Sequence, residues 1–524
     1  MTKYLINRIL RAHLSVIIVV GVIMVMVYTF LSKDSIFKDD PVFNKQRLNG
    51  RETYMMQQWE RFGYLDYINF NDFMKNKLRS GEIDQETYDS VIKLGKTAEQ
   101  DGEETAKFVT EFTEDMEAEG YTVRRLDGQT KPRSKKYKDG GDPRLFAYRD
   151  IPLLERLLKY FINLIQIDNI HYATGDVGER GLTFTWYDPA YGGEKFSPAI
   201  MGNGTLHKYL LYCDDEFPYI HQNLITINLG RSFSVNKDID VFTTMTESQG
   251  SLDYSTISYP TGVVENTADD LHSLIYVEGS LEVSTLNQKY YVDDYTSIVT
   301  ARYGLSKIGY SFVIGIISVI LAYMLAMPLG VLMALKKDKF IDKLGTFYIV
   351  FIMAVPSLGY IFIFRAIGNK LGLPTTFNME SPTTLMYVLP IISLALPSIA
   401  NQMKWLRRYM IDQMNSDYVK FARSGGLSEG EIFTKHILKN AIIPVVHGIP
   451  SAVLFSLTGA IITERVYLVP GIGNVLTTAI NSYDNGVIVG VTLFYAVISV
   501  VAVILGDVLM SMLDPRISFT TKVR

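Results

Sequence analysis

A single cysteine, Cys213, stands among 524 residues, so the chain has no internal disulfide and no multi-cysteine metal site. Histidine is scarce as well. The seven histidines are scattered and form no HExxH pair, which leaves metal catalysis without a ligand set. A phosphate loop is also missing: Gly95-Lys96-Thr97 has the right ending, but Ser90 stands where the first glycine must be. Without that glycine the backbone nest around phosphates has no support. Cys213 precedes Asp214-Asp215-Glu216, an acidic turn whose successive side chains do not converge on one cation. No hydrolase triad assembles, so the chain reads as a non-enzyme. Net charge is only −4, with 48% hydrophobic and 20% charged residues. That balance excludes a disordered chain and a nucleic-acid binder with a general basic surface.

What is present is divided. Residues 31–300 hold 29 Lys+Arg against 44 Asp+Glu, while the remainder holds 22 against 11. The basic remainder consists mostly of long apolar runs. A bilayer core about 30 Å thick needs roughly 20 apolar residues as helix. Six uncharged runs meet or approach this: Leu14–Phe30, Ile308–Leu335, Leu344–Phe364, Ser381–Met403, Ala441–Thr463 and Asn485–Gly506. The first lacks a small-x-small cleavage site at Val27–Leu31 and reads as an uncleaved anchor.

Short cytoplasmic loops carry excess Lys and Arg. With the N-terminus inside, the inner segments hold seventeen, among them Lys3, Arg8, Arg11, Lys336, Arg407, Arg423, Lys439 and Arg516. The outer segments after residue 300 keep five: Arg302, Lys307, Arg365, Lys370 and Arg465. Both termini are therefore expected in the cytoplasm and residues 32–305 outside. Pro328, Pro356, Pro390, Pro397, Pro444 and Pro450 recur in or at the ends of the spans. Each removes a backbone donor and bends its helix, which suits a water-lined path as well as ordinary membrane packing.

The insert at 32–305 is too long for a loop and reads as an α+β domain. Helices are expected over Asp84–Ala98, Glu99–Glu119 and Pro152–Ile167, the last lying against protein or the membrane surface. Strands are expected at Leu182–Trp186, Leu224–Leu229, Leu271–Val277 and Leu281–Leu286. A glycine-rich, basic stretch at 127–143 reads as a linker, and its Lys131–Lys138 run as a solvated loop.

The informative segment is the basic loop 404–440. Asp417-Tyr418-Val419-Lys420-Phe421-Ala422-Arg423 reads as a short amphipathic helix, followed by a break at Gly425-Gly426-Leu427 and a second helix entering the membrane. Ala422 and Gly426 lie four apart, which places two small residues on one helix face open to another surface. These residues resemble the EAA loop of ATP-binding-cassette (ABC) importer permeases. The match is closest to the B-type permeases of oligopeptide and dipeptide importers, in their Gram-positive form with an expanded extracellular insert. Asp417, Tyr418, Val419, Ala422, Arg423, Gly426, Leu427, His436, Leu438, Asn440, Ala441 and Pro444 fit in register. A second block, Glu464, Val466, Tyr467, Pro470, Gly471, Ile472 and Gly473, is similar to the family's ExxFxxPGxG. Asp507, Asp514-Pro515-Arg516, the N-terminal Tyr4–Leu10 and the stretch Asn228–Phe233 are similar too. Ser424 and Gly425 depart from the usual Ala-Lys.

The resemblance implies an α-helical polytopic membrane protein of six spans with the type I importer permease fold. It divides into an anchor (1–31), an α+β insert (32–305) and a five-helix core (306–524). Its implied work is half of an ATP-driven import path for oligopeptides in the cell membrane. Asp417, Tyr418, Ala422, Arg423, Gly426 and Leu427 would couple to two cytoplasmic ATPase subunits, which alone would bind ATP and Mg. A second permease, a substrate-binding lipoprotein outside, the peptide and the bilayer complete the implied partners. No cofactor, metal or nucleic acid is implied for this chain. Glu464, Pro470, Gly471 and Gly473 would form an outer gate or a structural turn. The substrate side chains' contacts are not legible. Another solute of the same family, nickel or an opine, is the alternative, and a non-transporting mechanotransmitter is a second. Uncharged spans oppose a secondary transporter.

Overall fold

The computed structural model describes all residues except 1, 39, 47, 129–140, 174–176, 189–192, 195, 214–219, 236, 272–274, 276–288, 291–297, 380–381 and 514–524. Lys131–Lys138, Asp214–Glu216, Leu281–Leu286 and Asp514–Arg516 therefore lie outside the described residues, as does the expected strand Leu271–Val277 apart from Leu271 and Ile275.

Helix α1 (Thr2–Phe30) is followed by the insert. Its first part holds α2 (Pro41–Lys45), α3 (Leu48–Arg61), β1 (Leu65–Asn69), α4 (Phe70–Ser80), α5 (Gln85–Val91), α6 (Glu103–Ala118), β2 (Thr122–Leu126) and β3 (Arg144–Asp150). The three strands form one antiparallel sheet in the order β1-β3-β2. Phe112 and Met116 of α6 and Phe70 and Met74 of α4 are buried against Leu145 and Ala147 of β3. Residues 127–143 thus join two neighbouring strands. Asn49 Nδ2 ties both ends of that connection, donating to Asp127 O at 2.7 Å and Asp142 O at 3.0 Å.

The second part holds α7 (Leu153–Ile162), β4 (Ile165–Ile167), β5 (Gly181–Thr185), β6 (Ala199–Asn203), β7 (Tyr209–Cys213), β8 (Ile220–Gln222) and β9 (Ile225–Ile227). It continues through α8 (Val241–Thr246), β10 (Ser255–Ser258), β11 (Val264–Thr267), β12 (Asp269–Leu271) and β13 (Ile298–Thr300). Strands β5 to β8 make an antiparallel sheet in sequence order, and β4 pairs with β9. Three helical expectations shorten here. The helix expected from Glu99 begins at Glu103, after a separate turn at Ala98–Gln100. The helix expected to Ala98 ends at Val91, because Arg125 clamps Asp101 at 2.7 and 3.0 Å while Gly95 N–H donates to Asp101. The helix expected to Ile167 ends at Ile162, where the chain turns to pair β4 with β9.

The remaining helices are α9 (Lys307–Leu335), α10 (Phe340–Ala354), α11 (Ser357–Lys370), α12 (Val388–Met414), α13 (Asp417–Ser424), α14 (Glu429–Glu431), α15 (Lys439–His447), α16 (Ile449–Tyr467), α17 (Ile472–Asn481) and α18 (Asn485–Leu513). A π-helical stretch, Ile432–Leu438, joins α14 to α15. Helices α9 and α12 pack along much of their length through fully buried alanines, Ala322, Ala326, Ala395 and Ala400. Small residues let helix backbones approach where lipid supplies no hydrophobic drive. Helix α1 buries Val20, Met24 and Val27, one per turn, in a cluster that includes Val487 and Val491 of α18.

Among the described residues, four helical stretches are long and apolar enough to cross a membrane: Asn7–Phe30, Lys307–Leu335, Thr384–Met414 and Asn485–Met512. Two expected spans are built differently. The run Leu344–Phe364 is a broken pair, α10 and α11, whose axes turn by 110°. Pro356 lacks the N–H to continue the helix and forces Val355 into extended backbone, at φ −82° and ψ 129°. The run Ala441–Thr463 divides at Gly448 into α15 and α16, with Pro444 inside the first and Pro450 opening the second.

Candidate coupling loop and polar cleft

The loop expected at 404–440 begins as helix, because α12 continues to Met414. After Asn415 and Ser416 the chain reverses into α13, whose amphipathic pattern decides what faces inward. Val419 and Ala422 are buried with Leu406 and Met410 of α12 and with Ile432, Ile437, Ala441 and Val445 of the following helical segment. This corrects the expected shared face. Ala422 serves packing within the chain, and Gly426 lies beyond the end of the helix, at φ +80° with nothing within 4 Å of where a Cβ would stand. Only the left-handed conformation lets Leu427 N–H reach back to Ala422 O at 3.3 Å.

The outer side of this element is formed by other residues. Phe421 is 81% exposed, Leu427 and Tyr418 about half as much. Arg423 and Glu429 close the turn with paired bonds of 2.5 and 3.0 Å. The guanidinium holds the Glu429 carboxyl below its ordinary range. Asn440 donates to the Tyr418 hydroxyl at 3.0 Å, which in turn donates to Gln413 at 2.5 Å. Tyr418 thereby joins α12, α13 and α15. Asp417 is exposed and pairs with Lys420 at 2.9 Å. Phe421 thus stands on the outer side of a short helix whose inner side is packed on α12 and α15.

At the far end of α16 the second block forms a buried knot. Glu464 is fully buried and accepts from Ser311 Oγ at 2.6 Å and from Asn474 N–H at 3.1 Å. Ser311 Oγ accepts from Ile472 N–H at 2.9 Å. Pro470 lies in the bend between α16 and α17, and Gly471 and Gly473 press directly on the Glu464 carboxylate. Glu464, Pro470, Gly471 and Gly473 are thus brought together, at a distance from Asp417, Tyr418, Ala422, Arg423, Gly426 and Leu427.

Between α11, α12 and α16 lies a cavity of about 360 Å³. Its walls include Ser357, Ser393, Ser398, Asn401, Gln402 and Ser456, and none of its lining residues is charged. Sequence reasoning overlooked this cleft. The signal was present in α12, where Ser393, Pro397 and Asn401 repeat every four residues beside Ser398 and Gln402, a polar stripe on an apolar helix. Gln402 donates to Tyr323 Oη at 3.0 Å, and Ser393 shares a 2.9 Å bond with the Tyr467 hydroxyl. Such groups offer uncharged donors and acceptors at membrane depth. His447, the histidine of the later spans, is engaged elsewhere, its Nδ1 lying 2.8 Å from Gly506 O. Among the described residues no group of three or more His, Cys, Asp or Glu side chains is placed to hold a metal.

Two ion pairs fix the helices at the coupling-loop end. Arg407 of α12 grips the buried Asp342 of α10 through bonds of 2.5 and 2.7 Å. Arg8 of α1 lies 2.6 Å from Asp507 of α18, uniting two of the motif segments noted in the sequence.

Residues 326–519 match the family described as "Binding-protein-dependent transport system inner membrane component". The oligopeptide transport system permease protein AmiC of Streptococcus pneumoniae is 33% identical over 529 residues, covering 100% of this chain and 99% of that one. The chain belongs to this permease family. The dipeptide transport system permease protein DppB of Bacillus subtilis is 33% identical over 215 residues, 40% of this chain and 68% of that one. The metal-staphylopine import system permease protein CntB of Staphylococcus aureus is 29% identical over 228 residues, 42% and 72% of the two chains. Full-length similarity to AmiC includes the insert; the stated shares for DppB and CntB are less than half of this chain.

Proposed function

We propose that the chain is the membrane permease subunit of an ABC importer for oligopeptides, in the cell membrane, with both termini cytoplasmic and residues 32–305 extracellular. The observation that carries this reading is the full-length similarity to an oligopeptide permease, insert included. The coupling element gives it a mechanism. Phe421, Leu427 and Tyr418 form the exposed apolar tip that enters a groove on one of two cytoplasmic ATPase subunits. The Arg423–Glu429 pair holds the turn, and Val419 and Ala422 pass the motion to α12 and α15. ATP and Mg stay on the ATPases, and this chain does no bond chemistry.

The cleft along α12 is half of the solute path, closed by a second permease of the same fold. Peptide backbones present regular amide donors and acceptors, and Ser, Asn and Gln side chains match them without selecting one sequence. A binding lipoprotein outside delivers the peptide to the insert. Nickel or another metal-borne solute fits this cleft less well, since no histidine or acid lines it. The buried knot around Glu464 serves as the structural turn that fixes α17 against α9 and α16.

Replacing Phe421 by Asp tests the coupling role, because an exposed side chain can change without disturbing the core. Uptake of radiolabelled peptides by the reconstituted complex should stop while the chain remains in the membrane. Normal uptake by that variant would refute docking at this tip. Uptake of nickel chelates in place of peptides by the unaltered complex would overturn the substrate assignment.

A further inference from the structure

Helix α7 carries three faces. Leu157, Tyr160 and Phe161 pack into the cluster formed by α1 and α18. Glu155 and Lys159, one turn apart and paired at 2.9 Å, form a charged row. Between these two faces, Leu154, Leu158 and Ile162 repeat every four residues and are 70%, 56% and 75% exposed. The β4–β9 ribbon that follows has the same division. Ile165 stands opposite Ile227 and Ile167 opposite Ile225, all exposed and on one side, while Gln166 and Thr226 face the other.

The depth of this element is set by α1. Leu157 Cδ2 lies 3.6 Å from where a Cβ would stand at Gly21. One to two turns beyond Gly21, Met24 and Tyr28 of α1 already line a pocket with Glu60, Arg156 and Asp484, so α7 meets α1 where its apolar run gives way to the polar insert. The neighbouring surface of α1 is itself apolar and exposed at Val22, Val25 and Met26, so the apolar row of α7 continues a surface that a membrane helix presents to its surroundings.

We propose that α7 and the β4–β9 ribbon form an interfacial anchor, with Leu154, Leu158, Ile162 and the four ribbon isoleucines buried among lipid acyl chains of the adjacent leaflet. The charged row of α7 and the polar side of the ribbon lie at the headgroups, the arrangement of an amphipathic element in the plane of a membrane. The occupant is lipid because the apolar arc is bounded by charge on one side and, on the other, is continuous with the exposed apolar surface of a membrane-crossing helix. The inference needs only that the chain resides in a membrane and is independent of what it transports.

The lone cysteine makes the test direct. In a Cys213→Ser background, spin labels are placed singly at Leu158→Cys, Lys159→Cys, Gln166→Cys and Ile167→Cys in the complete transporter in phospholipid nanodiscs. Collision with oxygen should exceed collision with a water-soluble nickel chelate severalfold at positions 158 and 167, and the ratio should invert at 159 and 166. Access of the nickel chelate at 158 and 167 equal to that at 166 would place the face in water and overturn the proposal. Exclusion of both reagents at 158 and 167 would place it under a neighbouring subunit and overturn it equally. Both sites are exposed in this fold, so the labels leave packing intact, and peptide uptake by each labelled complex verifies assembly.

Discussion

The carboxylate of Glu464 occupies the space that a side chain at Gly471 would need. The same confinement holds two residues on, where a Cβ at Gly473 would lie 2.6 Å from Ile461 Cα. Backbone cannot swing aside as a flexible side chain does. Gly473→Ala should therefore destabilise the chain by about 1–3 kcal/mol, the usual effect of overpacking. Gly430→Ala is the control, since nothing lies within 4 Å there. Thermal unfolding in detergent should show a lower Tm for the first variant only; equal Tm values would mean the knot is not tightly packed.

Gly426 separates backbone from contact. Its φ of +80° costs an ordinary L residue about 1–2 kcal/mol, and asparagine much less. If the turn's conformation is what matters, Gly426→Asn should retain most peptide uptake and Gly426→Val should lose it. If a partner surface presses on the glycine itself, both variants fail alike. The ratio of uptake rates for the two variants decides.

Asp342 and Arg407 make a paired bond between α10 and α12 just before the coupling element. Asp342 is nearly fully buried and Arg407 about a quarter exposed. Removing one partner of such a pair strands the other charge, and Asp342→Ala should cost about 2–4 kcal/mol, below or within the range for fully buried pairs. The exchange Asp342→Arg with Arg407→Asp should recover part of the loss. A double-mutant cycle on unfolding midpoints measures the coupling, and simple additivity would show that the pair contributes nothing.

The sequence made the membrane helices legible because lipid demands long uncharged runs, and Leu14–Phe30, Ile308–Leu335 and Asn485–Gly506 each fall within one continuous helix. It also marked the short helix that starts at Asp417 and the glycine break that ends it before Leu427. What it hid was partner choice in three dimensions. Pro356 announces a bend, but the 110° turn it makes depends on how α11 packs on α12 and α16. Ala422 looks like an open small residue until Ile432 and Ile437 cover it. Arg407 reads as one of many loop cations, and nothing in its neighbours names Asp342, 65 residues earlier. Short runs of β-formers bounded by Gly, Asn or Asp marked β5 and β9, while the pairing of β4 with β9 across 60 residues has no local signature.

His221 offers a pH readout for the insert. Its ring stacks on Tyr212 at 4.6 Å, and burial pulls its pKa down to about 4 from 6.5. A depressed histidine pKa means that the folded state resists protonation. The stabilisation is fully present above about pH 6.5 and is lost as pH falls towards 4. Unfolding of the chain followed from pH 7 to 4.5 should therefore show a fall in Tm that His221→Phe reduces. Carboxylates also titrate in the lower part of that window, so the difference between the two proteins is the quantity to compare. Parallel curves would mean that His221 is protonated without penalty.

One carboxylate ties the insert to the last membrane helix, beside the apolar packing between them. Asp484 Oδ2 accepts from Ser232 Oγ at 3.0 Å, Phe233 N–H at 2.7 Å, and Ser234 N–H and Oγ at 2.8 and 3.1 Å. Its Oδ1 accepts from Val487 N–H at 3.2 Å in the first turn of α18, so a single side chain caps a membrane helix and holds a loop 250 residues earlier in the chain. Each of these five groups donates to it. Alanine leaves those buried donors unsatisfied, at about 1–3 kcal/mol for each that water cannot reach. Asparagine keeps one acceptor oxygen but turns its amide towards a donor, so Asp484→Asn should be intermediate and Asp484→Ala the more severe. Because the contact joins the insert to α18 and not to the coupling element, the loss should fall first on the insert. Limited proteolysis should cut within residues 228–240 faster in both variants while α9 to α16 stay protected. Cleavage spread evenly along the chain would mean that Asp484 supports the whole fold and is no specific lock between insert and membrane helix.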